Sequence, residues 1–254
     1  MIRFENVEKS FGSKKVLDGV NFEIKKSEIF IIVGLSGAGK SVSLKHMVRL
    51  LTPDSGKVWV GEDLISEAYG KELERIRARF GYLFQSGALL QWMTAGLNVG
   101  LPLREHTKMK DDEIDKIALA KMKLVQLEDA FDKSPSSLSG GMRKRVALAR
   151  AIVREPEVVL YDEPTSGLDP VTSRTIDKLI LDTRNELGVT SIVVTHDLHS
   201  ALAIGDTIAM LHEGKMVELC SPKQFIESKN PIVKKFLESQ YITTRGAWEG
   251  SAVK

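Results

Sequence analysis

The sequence predicts an α/β fold with a parallel-sheet core, an N-terminal antiparallel β subdomain and an inserted α-helical subdomain. Three short segments, residues 29–33, 158–161 and 191–195, are dominated by apolar residues and are rich in Val and Ile. Such segments are typical of parallel strands that are buried on both faces of a sheet. Because helical patterns lie between these segments, the order of elements favours a parallel α/β core.

The first 30 residues predict the antiparallel subdomain. Val20, Phe22 and Ile24 alternate with polar residues, and Asp18-Gly19 just before them is a turn signal. This alternation indicates a sheet with one face exposed to solvent, which is typical of antiparallel sheets. We therefore expect several short antiparallel strands here.

A glycine-rich loop follows the first buried strand and is followed by a helical pattern that starts near Val42. Its sequence is Gly34-Leu35-Ser36-Gly37-Ala38-Gly39-Lys40-Ser41. Between a strand and a helix, this spacing predicts a phosphate-binding loop, because the glycines let several backbone N–H groups point at one anion. Lys40 can reach the β- and γ-phosphates, and the Ser41 hydroxyl can coordinate Mg²⁺. A chance glycine turn is the competing interpretation, and the flanking elements argue against it.

Two acids, Asp162 and Glu163, follow the predicted strand at 158–161. They come at its carboxyl end, where α/β folds place their ligands. We expect Asp162 to support Mg²⁺, directly or through water, and Glu163 to polarise the attacking water. An acidic loop after a strand is common, but together with a phosphate loop it indicates nucleotide hydrolysis.

The region between Gln85 and Pro156 is predicted to be helical and to contain no strand. Asp111, Asp112 and Glu113 begin one helix, where acids are favoured, and Ser139 caps a second helix that must end near Pro156. The first helix has apolar residues at helical spacing, namely Ile114, Ile117, Ala118, Met122 and Val125. We therefore predict a helical subdomain at 87–155, inserted between the core segments 1–86 and 156–235.

Ser139-Gly140-Gly141 at the start of the second helix predicts a second anion site. The serine N-cap and the glycines leave backbone N–H groups available at a helix N-terminus. Taken alone, Ser-Gly-Gly is often a flexible turn. A second phosphate site on one chain makes sense if two chains share each nucleotide.

Together these motifs resemble those of the ATP-binding cassette (ABC) ATPases over residues 1–235. Residues 34–41 are similar to the Walker A loop, Gln85 to the Q-loop and residues 138–142 to the cassette signature. Residues 158–163 are similar to the Walker B strand, residues 166–169 to the D-loop and His196 to the switch histidine. The resemblance implies a P-loop NTPase fold with a RecA-like core.

The resemblance implies ATP and Mg²⁺ as cofactors and a head-to-tail dimer, in which each ATP lies between residues 34–41 of one copy and 139–141 of the other. Glu163 would act as the base, with His196 positioning the γ-phosphate and Gln85 also catalytic. Phe11 would stack on adenine, although a core phenylalanine is the alternative. The implied nucleotide contacts further include Val16, Val42, Ser139, Gly140, Gly141 and Asp169, and the implied Mg²⁺ ligands are Ser41, Gln85 and Asp162.

Several segments resemble one subgroup, the ATPase subunits of Mla/Mce-type lipid transporters. These are Met142, where the family more often has Gln, together with residues 39–42, 84–89 and 98–106. The resemblance implies phospholipid or lipid transport and integral-membrane permease subunits contacted by residues 85–105. It also implies a Mce-domain substrate-binding protein, a small STAS-domain subunit and a peripheral location on the cytoplasmic face of the inner membrane.

Other functions remain open at this stage. The hydrolytic motifs would also suit a cassette for amino acids or lipoproteins, a non-transport cassette acting on DNA or ribosomes, or a module that binds ATP without cleaving it. Glu163 and His196 argue against the last. The DNA and ribosome class usually has a coiled-coil insertion or a second cassette, and we see neither. Trp92 is either a docking residue or a core residue of the helical block.

Net charge and cysteine content argue against some of the remaining classes of function and site. The net charge of +2 does not indicate a nucleic-acid partner. Arg143, Lys144 and Arg145 have no aromatic residues between them, so we expect a solvated helix face. Cys220 is the single cysteine, which excludes an intrachain disulfide.

The other sequence signals predict no further site. The charged first residues predict no secretory signal, and no apolar stretch is long enough to span a membrane. His46, His106, His199 and His212 lack ligand spacing and are expected on the surface or on helix faces. Residues 236–254 are predicted to be a C-terminal extension, in which Trp248 is hypothesised to dock on a neighbouring subunit.

Overall fold

The structure is a computed structural model that describes residues 1–240 and 242. The chain divides into two compact units, one formed by residues 1–67 with the chain from 194 onward and the other by residues 68–193. The hypothesis about Trp248 lies outside the described residues. Within residues 1–240 and 242, no helix combines the length and apolar character that crossing a membrane requires.

The strands, in chain order, are β1 (Ile2–Phe11), β2 (Lys14–Ile24), β3 (Ile29–Val33), β4 (Ser55–Val60), β5 (Asp63–Leu64), β6 (Phe80–Leu83), β7 (Val158–Asp162), β8 (Thr190–Thr195), β9 (Thr207–His212) and β10 (Lys215–Cys220). The α-helices are α1 (Lys40–Met47), α2 (Gly70–Arg77), α3 (Ala95–His106), α4 (Asp111–Leu124), α5 (Gly140–Ile152), α6 (Pro170–Leu187), α7 (Leu198–Ile204), α8 (Pro222–Ile226) and α9 (Pro231–Glu238). β8 carries the chain from the second unit into the first.

The first unit contains the predicted antiparallel sheet, with strand order β2-β1-β4-β5. β1 pairs antiparallel with both β2 and β4. The buried face carries a stack of rings, in which Phe22 lies between Phe4, at a centroid distance of 4.4 Å, and Phe30 of β3, at 5.4 Å. The sheet is therefore amphipathic in the way its alternating sequence predicted.

The predicted turn at Asp18-Gly19 is wrong. Both residues lie inside β2, and the turn between β1 and β2 is at Gly12-Ser13. Gly19 does have a positive φ of 66°, but it occurs where the pairing of β1 with β2 shifts register. A glycine in a strand often marks such an irregularity, which a turn signal in the sequence cannot distinguish.

The first unit also contains β3, all of whose residues are buried. β3 pairs in parallel with β9, and β9 forms an antiparallel hairpin with β10. Burial of a parallel strand on both faces explains its uninterrupted apolar sequence. The prediction of a buried strand at 29–33 is confirmed.

In the second unit, β6 pairs in parallel with β7, whose residues are all buried. No residue from 84 to 157 belongs to a strand. α3, α4 and α5 lie in this stretch and pack against one another. The absence of strands and the predicted starts of α4 and α5 are confirmed, while the boundaries at 86/87 and 155/156 stay predictions.

Candidate active site

The glycine-rich loop joins β3 to α1 in the first unit, as the sequence predicted. The Lys40 side chain is buried and folds back over the loop, where its Nζ donates to the carbonyl oxygens of Gly34 at 2.8 Å and Leu35 at 3.2 Å. The N-cap residue Gly39 has no side chain to cap the first turn of α1. A loop that curls around an ammonium and opens into a helix N-terminus is suited to bind phosphate.

Two glycines of this loop cannot be replaced without a clash. A Cβ on Gly34 would overlap the backbone oxygen of Leu211 in β9. A Cβ on Gly39 would lie 2.7 Å from the backbone oxygen of Val16. Both glycines have positive φ angles, 151° and 103°. The Val16 backbone therefore leaves no room for a side chain at position 39.

A cavity of about 370 Å³ lies beside the loop within the first unit. Its lining comes from three segments, which are Lys14 and Lys15, Leu35 to Ala38, and His212 to Gly214. Sequence reasoning assigned no role to Lys14 or His212, because neither belongs to a motif. The parallel pairing of β3 with β9 brings His212, the last residue of β9, to the phosphate loop.

Phe11 ends β1 and is 48% exposed, with the Lys9 ammonium 5.7 Å from its ring centroid. The alternative that Phe11 is a core residue is therefore wrong. Among the histidines that were expected at a surface or helix face, His46 is buried on α1. Its Nδ1 lies 2.7 Å from the Val42 carbonyl.

His196 lies between β8 and α7 and is exposed. The residues around it are held at several points. Thr195 Oγ1 accepts from the Asp197 N–H at 3.0 Å, and the Asp197 carboxylate caps α7. Gln240 contacts the backbone of both His196 and Leu198.

The two predicted acids lie at the carboxyl end of β7 in the second unit, and both are buried. The Tyr82 hydroxyl of β6 donates to Asp162 Oδ2 at 3.4 Å. Burial and the neighbouring Asp162 raise the pKa of Tyr82, which therefore stays a donor. Glu163 has a left-handed backbone with φ of 50°, which is unusual for a residue other than glycine and is common at active sites.

Gln85 follows β6 and is exposed. The loop after it is held by Arg150 of α5, whose guanidinium donates to the Gly87 and Ala88 carbonyls at 2.7 Å each. A planar fork that binds two carbonyls fixes the loop more strictly than a single contact. Sequence reasoning missed Arg150, because nothing in the chain near residue 150 points to Gln85.

The signature residues stand at the start of α5 as predicted. Ser139 caps the helix by accepting from the Met142 N–H at 3.2 Å. A Cβ on Gly141 would clash with the Thr172 side chain of α6, so a larger residue there would require Thr172 to shift. Asp169 caps α6 by accepting from the N–H groups of Val171 and Thr172. The hydrogen bond from the Thr172 hydroxyl, together with these backbone bonds, lowers the pKa of Asp169.

The prediction that Arg143, Lys144 and Arg145 form a solvated helix face is wrong for Lys144. Its side chain is buried, and its Nζ donates to the backbone oxygens of Glu163 and Ser166. Arg143 donates to the Leu138 carbonyl, and Arg145 donates to the carbonyls of Val125 and Gln126. All three side chains donate to backbone carbonyls, a structural role that their charge alone did not reveal.

The donor set of the predicted site fits Mg²⁺ bound together with a nucleotide. Within residues 1–240 and 242, no group of three or more His, Cys, Asp and Glu side chains is arranged to hold a metal ion. Mg²⁺ usually takes one or two protein oxygens and completes its shell with phosphates and water. The Ser41 hydroxyl, the Gln85 amide and the buried Asp162 carboxylate are oxygen donors of that kind.

Comparison with known proteins identifies the family. A family model described as ABC transporter matches residues 17–166. The probable ribonucleotide transport ATP-binding protein mkl of Mycobacterium leprae is 40% identical over 248 residues, which are 98% of this chain and 72% of that protein. The intermembrane phospholipid transport system ATP-binding protein MlaF of Haemophilus influenzae is 36% identical over 94% of this chain and 91% of that protein.

Two further similarities extend this comparison. The methionine import ATP-binding protein MetN of Carboxydothermus hydrogenoformans is 39% identical over 94% of this chain and 72% of that protein. A solved dimeric ATP-binding cassette in a post-hydrolysis state, bound to ADP and Pi, superposes with a TM-score of 0.81 at 35% identity. That match covers 87% of this chain and 99% of the other.

These similarities confirm the predicted fold class and the predicted ATPase activity. The matched stretch includes the phosphate loop, the signature and the acidic pair, and the solved relative holds the products of ATP hydrolysis. The chain belongs to the ABC transporter family and is one of its ATP-hydrolysing cassettes.

Proposed function

We propose that this chain is the ATPase subunit of a complex that transports phospholipids or other lipids across the bacterial envelope. The similarity to a phospholipid transport ATP-binding protein over nearly the whole of both chains supports this substrate class. The observation that carries the proposal is a cleft in the second unit. Part of its lining comes from segments 84–89 and 98–106, whose sequences resemble the lipid-transporting subgroup.

The proposed roles in hydrolysis follow from the position and chemistry of each residue. Lys40 and the backbone N–H groups of residues 34–41 bind the phosphates, and Phe11 stacks on adenine. Glu163 accepts a proton from the attacking water, and His196 contacts the γ-phosphate. Ser41, Gln85 and Asp162 hold Mg²⁺, which neutralises phosphate charge when it is bound.

A second copy of the chain completes this proposal. Ser139, Gly140 and Gly141 present the N-terminus of α5, where backbone N–H groups and the helix dipole favour an anion. We place them, with Asp169, against the nucleotide of the other copy. ATP then bridges two chains, and its hydrolysis removes the bridge. The dimeric state of the solved relative supports this arrangement.

The cleft in the second unit has a volume of about 890 Å³. Its apolar lining includes the stacked rings of Tyr82 and Phe84, whose centroids are 4.1 Å apart, and Leu101 and Pro102 of α3. Charged groups of both signs surround this lining, namely Glu74, Arg77, Glu105, Arg150 and Arg154. An apolar floor with a charged rim suits the docking of a protein helix. We propose a permease helix as its occupant.

Trp92 lies within residues 85–105 and is 80% exposed, so the alternative that it is a core residue is wrong. Its loop is held by Asn98, which is fully buried and contacts the backbone of three residues between 90 and 94. A rigid loop that exposes a tryptophan is typical of a protein contact, because aromatic residues dominate such interfaces. We propose that Trp92 also contacts the permease.

The remaining partners follow from the lipid-transport proposal. A permease dimer would bind two copies of this chain peripherally at the cytoplasmic face of the inner membrane. A Mce-domain protein would present the lipid, and a small STAS-domain subunit would bind the ATPase. The similarity to the phospholipid transport protein supports these partners through the substrate class alone.

A segment exchange tests the substrate class. Residues 85–106 of this chain are replaced by the corresponding segment of an amino-acid transport cassette, and the reverse chimera is made as well. If this segment selects the partner, each chimera co-purifies with the permease that matches its segment. Retention of the original permease by both chimeras would contradict the proposal.

The competing substrate class is amino acids, which the similarity to a methionine import protein supports. The two classes differ in what the intact complex carries. Lipid extraction of the complex purified from its native membrane, followed by mass spectrometry, is expected to find bound phospholipid. Stimulation of ATP hydrolysis by a free amino acid, with no bound lipid, would favour the competing class.

A further inference from the structure

The side-chain amide of Gln240 holds the segment that carries His196. Its Nε2 donates to the His196 carbonyl at 2.6 Å, and its Oε1 accepts from the Leu198 N–H at 2.8 Å. An amide group can donate and accept at once, so it pairs with two backbone groups of one segment as a neighbouring strand would. These two bonds fix both the position and the direction of the backbone at residues 196–198.

The side chains of Thr195 and Asp197 add local hydrogen bonds to this segment. Thr195 Oγ1 accepts from the Asp197 N–H, and the Asp197 carboxylate caps α7 through the His199 and Ser200 N–H groups. Such short-range bonds shape the turn but do not tie it to the rest of the unit. Gln240 is 44 residues from His196 in sequence, and it anchors the turn to a separate helix.

That helix, α9, is firmly attached to the first unit. Val233, Phe236 and Leu237 are buried, and Asn230 caps the helix by accepting from the Ile232 N–H at 3.0 Å. The chain then turns back, because the Gln240 N–H donates to the Leu237 carbonyl at 3.1 Å. The amide of Gln240 is therefore carried on a buried helix and is aimed by the turn that ends it.

We propose that Gln240 is a positioning residue for His196 in ATP hydrolysis, an inference that rests on the role of His196 proposed above. His196 is exposed, and a shift of its backbone would move its imidazole as well. A displacement of about 1 Å at a reacting group can slow catalysis by about 100-fold. A residue that lies outside the family's motifs, near the end of the described chain, thus contributes to ATP hydrolysis.

Steady-state ATP hydrolysis by full-length variants tests this inference. Gln240→Leu removes both hydrogen bonds at similar side-chain size and is expected to lower kcat by about 10- to 100-fold. The KM for ATP is expected to change little, because the phosphate loop and Phe11 are untouched. Gln240→Glu keeps the acceptor for Leu198 but turns a carboxylate oxygen toward the His196 carbonyl, so it is expected to lower kcat as well.

A matched control uses the same residue type in the same kind of contact. Gln224 accepts from the Ser221 N–H at 3.1 Å at the start of α8, away from His196 in sequence. Gln224→Leu is expected to retain the kcat of the unmodified chain. Thermal melting of all variants shows whether they are folded. If Gln240→Leu does not fold, the same readouts on Gln240→Glu decide the question.

A double-mutant cycle with His196→Ala separates positioning from other effects. If Gln240 acts through His196, Gln240→Leu lowers kcat in the unmodified chain and has no further effect in the His196→Ala background. An equal effect in both backgrounds, or an unchanged kcat in Gln240→Leu, would overturn the inference. Normal hydrolysis by His196→Ala would instead remove the proposed role of His196 itself, so the two failures are distinguishable.

Discussion

The Nζ atom of Lys144 donates a hydrogen bond of 2.9 Å to the backbone carbonyl of Glu163. The same ammonium donates to the Ser166 carbonyl at 2.8 Å, so one buried cation binds both ends of the turn at 163–166. Glu163 has a left-handed backbone, and such a conformation costs about 1–3 kcal/mol and persists only where its surroundings enforce it. Lys144 supplies such a restraint within the second unit through two backbone contacts.

Lys144→Met is expected to slow ATP turnover by about 10-fold or more, because it removes both bonds at nearly constant volume and lets the Glu163 backbone relax. The measurement is steady-state kcat. Lys121→Met is the matched control, since Lys121 is also a buried lysine and pairs with Glu155 at 3.0 Å. Equal losses in the two variants would show a general effect of removing a buried ammonium.

The lowered pKa of Lys144 leads to a prediction of how the free energy of unfolding depends on pH. Burial lowers the pKa of its ammonium from 10.5 to about 8, although the charge of Glu163 opposes the shift. Below pH 8 the ammonium is protonated in both the folded and unfolded states, and the cost of burying its charge is fully present. Between pH 8 and 10.5 the unfolded chain binds more protons, so the free energy of unfolding rises with pH.

Urea denaturation of the unmodified chain and of Lys144→Met at pH 7, 8, 9 and 10 measures this effect. Above pH 8, the free energy of unfolding of the unmodified chain is expected to rise relative to that of Lys144→Met. The slope for one proton is at most about 1.4 kcal/mol per pH unit. A difference that stays constant from pH 7 to 10 would contradict the lowered pKa.

Glu163→Gln is expected to preserve ATP binding and to slow hydrolysis by about 10²–10⁴-fold, the usual contribution of a general base. The amide keeps the size of the side chain but cannot accept the proton. Single-turnover hydrolysis and calorimetric ATP binding measure the two effects separately. Near-normal hydrolysis in this variant would remove Glu163 from its proposed role.

Local sequence was sufficient to predict the elements that carry the site. The phosphate loop between β3 and α1 and the Ser139 cap of α5 each depend on a few neighbouring residues. Capping and buried-strand patterns are short-range properties, so a single sequence shows them. The predicted turn at Asp18-Gly19 also depended on a short-range signal. It was wrong because the pairing of β1 with β2 overrides the local turn preference.

The residues that hold the site in place were not predictable. Lys144, Arg150 and Gln240 all bind backbone carbonyls, and any exposed lysine, arginine or glutamine has the same sequence appearance. Arg150 lies 62 residues from Ala88, and Gln240 lies 44 residues from His196. Which carbonyl each side chain reaches is decided by the packing of α5 and α9, and a charge count cannot reveal it.

Lys40→Ala is expected to weaken ATP binding by about 10- to 100-fold, since a hydrogen bond to a charged group contributes about 1.5–3 kcal/mol. In the structure the ammonium binds the Gly34 and Leu35 carbonyls, so its loss also loosens the loop. Calorimetric titration with ATP makes the measurement. Lys45→Ala, in the last turn of α1, is the control and should leave the affinity unchanged. An unchanged affinity in Lys40→Ala would contradict its role.

Asn98→Leu is expected to uncouple the ATPase from its permease while basal hydrolysis persists. The Asn98 amide satisfies the Leu90 N–H and the carbonyls of Leu90, Met93 and Thr94, so an apolar replacement leaves buried backbone groups without partners. Each such group costs about 1–3 kcal/mol, and the loop that exposes Trp92 would rearrange to reach water.

The measurement compares basal ATP hydrolysis with co-purification of the permease. Asn21→Leu is the control, because Asn21 also bonds the backbone but is exposed on the antiparallel sheet of the first unit. Trp92→Ala should lose the permease without the loss of stability expected for Asn98→Leu, since Trp92 is 80% exposed. If Asn98→Leu is destabilised but still holds the permease, the loop at 90–94 is only structural and the docking surface is confined to the cleft.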